Sequence, residues 1–316
     1  MLIGLLILFL IVGFVAPEYL LDLLATAVIF GVFAASADFS YGYAGIMNLG
    51  SALYFGLGAY IMGYGLKASA NPFLLIPSAL IVSIILSLVI GYVGFRVKAS
   101  QTHFGLIGLA ITLGFEQLAI SLYGLTGGSN GITNVPRPVF SFFGLDLDLS
   151  SPTLYYFYVI VVSMGIFFIL WRLVNTDFGR ALQALRHDET KLETMGYHPL
   201  KVKMTVNAIT AAIASLAGML LVCISGIAYP SLFGVGLSMS VLIWVALGGT
   251  GSLIGPFIIA MILKLSESML SSTFENSYTL IIGLVFVIMV IVAPTGVFGI
   301  GKKIFQYIKR TEVEQS

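Results

Sequence analysis

The sequence has little of what soluble chemistry uses. Of 316 residues, one is cysteine, three are histidine, two are tryptophan and only 9% are charged. Cys223 has no partner for an internal disulfide and sits in an apolar run, where packing is its natural role. His103, His187 and His198 are scattered, so neither a Cys/His metal spacing nor a nucleophile–base set is on offer. Catalytic residues and metal ligands are therefore expected to be none. A net charge of +1, with basic residues in short clusters at span ends, argues against a nucleic-acid partner. The N-terminus MLIGLLILFLIVGFVAPEYL lacks the basic start and small-residue cleavage site of a signal peptide, so it is expected to be retained as a short or tilted first span.

What the chain does have is apolar surface. It is 59% hydrophobic with a mean hydropathy of +1.04, far from a soluble mix of roughly a quarter charged residues. Such a chain is an integral membrane protein in contact with the lipid bilayer. Apolar runs follow near 20–41, 51–66, 74–95, 103–125, 154–174, 205–226, 239–247, 256–270 and 278–299. A spanning segment must pair its own backbone groups, and the alternating pattern of a membrane barrel is missing, so these runs read as helices. The expected fold is an all-α, polytopic bundle of about 8–10 helices.

Lysine and arginine set the orientation. Arg96 and Lys98, the basic residues of 171–203, and Lys302, Lys303, Lys309 and Arg310 are placed in the cytoplasm by the positive-inside rule. The stretch 126–153, with Arg137 against Asp146 and Asp148, goes outside. The parity puts both termini in the cytoplasm. Residues 1–301 read as one transmembrane domain and 302–316 as a short cytoplasmic tail. The segment 239–270 fits either two short crossings with a tight cytoplasmic turn at GGTGSLIGP or a re-entrant hairpin.

The densest polar stretch is residues 171–203, WRLVNTDFGRALQALRHDETKLETMGYHPLKVK. It holds ten of the chain's 15 basic and 14 acidic residues. Ala181, Leu182, Leu185, Leu192 and Met195 recur near the helical period, with Asp177 placed to cap the start and Gly196 to end it. The stripe of Ala181, Leu182 and Leu185 has no lipid to enter, so it is expected to dock in a partner groove, with Arg180, Arg186, Asp188 and Glu189 as a polar rim. The plainer alternative is a solvated connecting loop.

A second dense motif, DFSYGYAGIMNLGSALYFGLGAYIMGYG at 38–65, combines glycine faces for close helix approach with what looks like an interrupted helix around Asn48, Gly50 and Ser51. Backbone exposed by such a break can face a substrate; tight packing plus a short loop is the other reading. Asp38 and Glu116 are ionisable groups inside apolar runs, where a charge costs a few kcal/mol or more. Each reads as a polar group on a solute path or as an inter-helix hydrogen bond. LTGGSNGI at 125–132 favours a tight turn and lacks the GK[ST] of a nucleotide loop.

These motifs in this order resemble the permease subunits of the branched-chain amino-acid family of ABC importers, which includes urea and short-amide importers. The resemblance rests on GYAGIMNLGSALYFGLGAY (42–60), LTGGSNGI (125–132), GRALQALRHDETKLETMGYHP (179–199), AYPSLFGVGLSMSVLIWVALGGTGSLIGP (228–256) and VAPTGVFG (292–299), which span nearly the whole chain. It implies a type II ABC importer membrane domain in the plasma (inner) membrane. It also implies two cytoplasmic ATPase subunits, a second homologous permease and an extracytoplasmic solute-binding protein. No cofactor is expected on this chain, with ATP and Mg used by the partner subunits.

On the same pattern, the coupling segment lies within about 175–203 and includes Gly179, Arg180, Ala181, Leu182, Leu185, Arg186, Asp188, Glu189 and Gly196. Asp38, Asn48, Gly50, Ser51 and Glu116 are the candidate path residues. Where relatives often read GYAGQxSLGH, this chain has Ile46, Asn48 and Ser51, and Asp38 before Tyr41-Gly42-Tyr43 is reminiscent of the urea-importing branch. The resemblance implies branched-chain amino acids as the expected cargo, and these departures point to urea or a short amide as the alternative. A proton-coupled secondary transporter using Asp38 and Glu116 is a reading from another class; the amphipathic island and the lack of a strong internal repeat count against it.

Overall fold

The computed structural model describes residues 2–96, 101–142 and 145–273, together with Gly283. The expected last span at 278–299, Lys98, VAPTGVFG and the 302–316 tail otherwise fall outside the described residues. In chain order the helices begin with α1 (Leu2–Val15) and α2 (Glu18–Asp38), which runs on into a π-helical turn at Phe39–Tyr43. Then come α3 (Ser51–Lys67), α4 (Pro72–Arg96), α5 (Gln101–Ser121) and the single turn α6 (Tyr123–Thr126). Strands β1 (Ile132–Thr133), β2 (Val139–Phe142) and β3 (Leu145–Asp148) lie in the following loop. The second half carries α7 (Pro152–Val174), α8 (Asp177–His187), α9 (Glu189–Thr194), α10 (Pro199–Ser225), β4 (Ile227–Ala228), α11 (Val235–Gly248) and α12 (Ile254–Thr273).

Six stretches among the described residues are long and apolar enough to cross a membrane: Glu18–Tyr43, Pro72–Arg96, His103–Ser121, Pro152–Val174, Pro199–Ser225 and Pro230–Gly248. They differ in what they face. α2 and α10 are mostly covered by protein, whereas most of α4, α5 and α7 is not. A helix that is apolar all round and uncovered belongs against lipid or another membrane chain. α2 is the central post, touching α7, α10, α11 and α12, and α10 packs on α3 and α4. The α3–α10 crossing is close because Gly58 and Gly218 put no side chain between the backbones; a Cβ on either would run into the other helix's carbonyl, at Ser215 and Phe55 respectively.

The two ends of the bundle are closed differently. At the end away from α8, β1 pairs antiparallel with β4, Ile132 facing Ala228, and Arg137 Nη2 donates to both carboxylate oxygens of Asp22, near the start of α2, at 2.9 and 2.8 Å. The Arg137 guanidinium also lies over the Tyr155 ring, 5.8 Å from its centre. LTGGSNGI forms the turn into β1, with Gly127, Gly128 and Gly131 all at positive φ. These short ladders are the departure from a purely helical expectation. At the other end, α11 and α12 pack as a hairpin whose turn, residues 249–253, lies beside α8. The 239–270 segment is therefore two helices joined by a tight turn.

Candidate functional site: a buried carboxylate joint and a polar seam

The joint is built on Asp38, at the last turn of α2 and fully buried. Its Oδ1 accepts the N–H of Gly251 at 2.7 Å, and its Oδ2 accepts those of Ser252 at 3.1 Å and Leu253 at 2.9 Å. Three successive backbone donors aimed at one carboxylate form an anion nest, placed where the dipole of α12 begins. The nest needs an unusual backbone: Gly251 sits at φ 83 and Leu253 at φ 52, in the left-handed region that a leucine enters at a cost of about 1–3 kcal/mol. Gly42 completes the joint, because a Cβ there would collide with Asp38 Oδ1 and with the Gly251 N–H.

α8 reaches this joint through Arg186. Its Nη1 donates to the Gly42 carbonyl, and its Nη2 lies 3.5 Å from Thr250 Oγ1. One guanidinium thus touches the end of α2 and the α11–α12 turn together. The rest of α8 explains how it stays there. Thr176 precedes it in extended backbone, and Gly179 allows a sharp corner after α7, since a Cβ would meet the Val174 carbonyl. Ala181, Leu182 and Leu185 are 0%, 0% and 4% exposed. This corrects the expectation that they dock in a partner groove: the stripe is packed on the chain's own core, where burying each leucine is worth about 1.5–3 kcal/mol.

What α8 and α9 leave outside is polar. Arg180 and Asp177 pair at 3.3 Å and are largely exposed. Asp188 caps α9 by accepting the Thr190 N–H at 2.8 Å, and that bond holds its carboxyl below the usual carboxylate range. Glu189 pairs with Lys203 of α10, whose ammonium lies over the Phe95 ring. Gly196, at φ 83, ends the turn after α9. Of the coupling residues named from sequence, Arg186 and Glu189 tie the segment to the spans, and Arg180 faces away from them.

The polar seam lies between α3, α4, α10 and α11. Residues 44–50 are not helical, and α3 starts only at Ser51, so the chain is interrupted where the motif suggested. Asn48 Oδ1 accepts the Gly50 N–H at 2.9 Å, and its amide donates to Asn207 Oδ1 at 3.0 Å. Asn207 in turn donates to the Ser87 carbonyl at 2.8 Å, and the free N–H of Ala52 is taken by Ser238 Oγ at 3.1 Å. The donors at a helix start inside the bundle are thus met locally by Asn48 and, for Ala52, by a side chain of α11. Ser51 Oγ is buried without a hydrogen-bond partner among the described residues.

The candidate path residues do not form one cluster. Asn48, Gly50 and Ser51 are in the seam and Asp38 is in the joint. Glu116, half-buried near the far end of α5, faces the start of α11, with Oε1 3.4 Å from where a Cβ on Gly234 would stand. Sequence reasoning missed Asn207, a lone amide in a 27-residue apolar helix, and Lys264 with Glu267, three apart in α12. Each carried the same signal as Asp38, a polar group in an apolar run.

A bundle of apolar helices around one buried carboxylate nest, with a polar helix pair bolted to one end, is the architecture of a membrane-spanning protein. The comparisons agree. Residues 19–293 match the family described as the branched-chain amino acid transport system / permease component, and the chain belongs to that family. It is similar to the high-affinity branched-chain amino acid transport system permease protein LivM of Escherichia coli (strain K12), 27% identical over 93% of this chain and 73% of that protein. LivM of Salmonella typhimurium is likewise 27% identical, over 87% of this chain and 69% of its own length. The ribose import permease protein RbsC of Escherichia coli (strain K12) is 31% identical over 44% of each chain. No solved structure matches. The chain is a transmembrane permease subunit of an ABC importer and an integral membrane protein.

Proposed function

We propose that this subunit pairs with a second, homologous permease to form a path for branched-chain amino acids across the inner membrane, with both termini of this chain in the cytoplasm. Two cytoplasmic ATPase subunits bind ATP and Mg, and an extracytoplasmic binding protein delivers the solute. The likeness to LivM proteins supports the cargo. The observation that carries the mechanism is Arg186, one side chain of α8 that touches both Gly42 and Thr250. A displacement applied to α8 is then felt at once by the end of α2 and by the α11–α12 hairpin. Because Ala181, Leu182 and Leu185 fix α8 to this chain, the ATPases seat on its polar outer face, around Arg180, Gln183 and His187. Gly179 and Gly196 bound that segment, and Asp188 and Glu189 hold α9 beneath it.

Asn48, Gly50, Ser51 and Glu116 remain the candidate path groups, and Asp38 takes the role of a clamp, since its acceptors already serve three backbone donors. The test is reconstitution with candidate ATPase, permease and binding-protein partners. Hydrolysis stimulated by binding protein loaded with leucine, isoleucine or valine is expected. Stimulation by urea or an amide alone, or transport by this chain without any ATPase, would overturn the reading.

A further inference from the structure

Lys264 and Glu267 are a charged pair well inside the bundle, with no part in the joint or the seam. Two rulers give their depth. Lys264 lies ten residues along α12 from Ile254, about 15 Å at 1.5 Å per residue, the middle of a 20-residue helix. Its ammonium lies 4.5 Å from the ring centre of Phe30, twelve residues and about 18 Å from the opposite end of α2. It is also 5.8 Å from the centre of the Trp244 ring. Glu267 Oε2 accepts from Lys264 Nζ at 2.7 Å, the hydrogen bond of that ammonium among the described residues. Above the pair, partial burial and then the Glu267 carboxylate raise the Tyr229 hydroxyl.

The pair is not sealed. The Lys264 side chain is 22% exposed and that of Glu267 is 40% exposed. A partly exposed ion pair on a helix of the membrane bundle is costly against acyl chains, so this face of α12 looks onto water or protein. An ammonium has three donors and a carboxylate two acceptor oxygens, and their mutual bond leaves capacity on both. Among the described residues the Phe30 and Trp244 rings hold the ammonium, which stays partly exposed.

We propose that Lys264 and Glu267 form a transit site for a zwitterionic α-amino acid, whose carboxylate pairs with Lys264 and whose ammonium pairs with Glu267; this rests on the amino-acid cargo proposed above. The exchange is neutral at every stage. The resident pair has no net charge, the solute has none, and each charge keeps a partner as the solute enters and leaves. A cation or an anion would leave one charge unpaired in a poorly solvated place. The site therefore filters on net charge and on the α-amino-acid head group, and leaves side-chain choice to the binding protein.

The experiment uses the complete reconstituted complex with its binding protein, measuring leucine imported and ATP hydrolysed in the same vesicles. Lys264→Met and Glu267→Gln should each lower solute moved per ATP by about tenfold or more, because a site built around paired polar groups rejects a solute that leaves one unpaired. The double variant Lys264→Met/Glu267→Met removes both charges, restores assembly if the singles lose it, and should still hydrolyse ATP without import. Lys264→Arg and Glu267→Asp keep charge and fold but shift reach, and should lower import per ATP severalfold. Wild-type import per ATP in the double variant, or in both conservative variants, would overturn the proposal and leave a packing role. A wild-type complex that imports no amino acid would overturn the cargo reading itself, which the wild-type arm shows before any variant is compared.

Discussion

Asp38 and Glu116 are both carboxylates set in apolar helices, yet their surroundings differ in kind. Asp38 is fully buried and accepts three backbone hydrogen bonds from one turn. Glu116 is half-buried, faces the glycine that opens α11, and receives no hydrogen bond from the described residues. The first is the price of bringing three orphan N–H groups into the bundle, because the two oxygens of one carboxylate can accept from all three. The second is a polar group left available at the end of the bundle that carries the Arg137–Asp22 pair. The contrast separates a charge that holds the fold from one that has no hydrogen bond to the described residues.

The largest effect is expected where the joint is emptied. Asp38→Leu leaves three buried donors without an acceptor, at about 1–3 kcal/mol each, so the α11–α12 turn loses its anchor and the subunit should not accumulate in the membrane. Asp38→Asn keeps one acceptor oxygen and should give a folded but less stable protein. Thermal unfolding in detergent ranks the three proteins, and equal stability of the leucine variant would erase the distinction drawn from Glu116. Leu182→Asp should be nearly as severe, since it puts a carboxylate into a site with no exposure. Arg180→Ala, on the outer face, should leave stability unchanged.

Arg186→Gln probes transmission instead of folding. The nest and the packed face of α8 both remain, so the complex should assemble. Binding-protein-stimulated hydrolysis should fall by roughly tenfold, the scale of a lost coupling contact. Loss of assembly would make Arg186 one more structural contact. Glu116 comes next. If it only hydrogen-bonds, Glu116→Gln should transport better than Glu116→Leu at every pH; a proton relay would make the two variants equally poor. Transport assays of both across pH decide between them.

Much of this was legible in the sequence for a physical reason. Apolar length fixes spans because the bilayer allows no other solution, and the charge-rich 171–203 island is conspicuous against 9% charge overall. The break at Asn48–Gly50–Ser51 could be read from its glycines, yet its partners Asn207, Ser87 and Ser238 are 36 to 190 residues away, with nothing local to mark them. The stripe of α8 shows the opposite failure. Periodicity identified Ala181, Leu182 and Leu185 as a buried face but does not say whose core covers it, and the chain's own helices do. Lys264 and Glu267 were hidden because an i, i+3 pair of opposite charge looks like any helix surface until its depth is known.

The smallest expected effect is at Asp188, and it sharpens the same contrast from outside the membrane. Its carboxylate also satisfies a helix N-terminus, through the Thr190 N–H, but in full contact with water. The ionised form makes the better bond, so its folded value lies below the ordinary 3.8. The contribution to α9 is therefore complete above that ordinary value and is lost as pH falls through the lowered one. Neutral pH should show none of this loss. Asp188→Asn should keep the cap, since asparagine accepts the same N–H, and should remove only the acid dependence. Asp188→Ala should fray α9 at all pH values, seen as faster amide exchange over 189–194, with stimulated hydrolysis reduced by less than about twofold because solvent takes over an exposed cap readily. Unchanged exchange in the alanine variant would mean that Leu192, buried beneath α9, holds the helix alone.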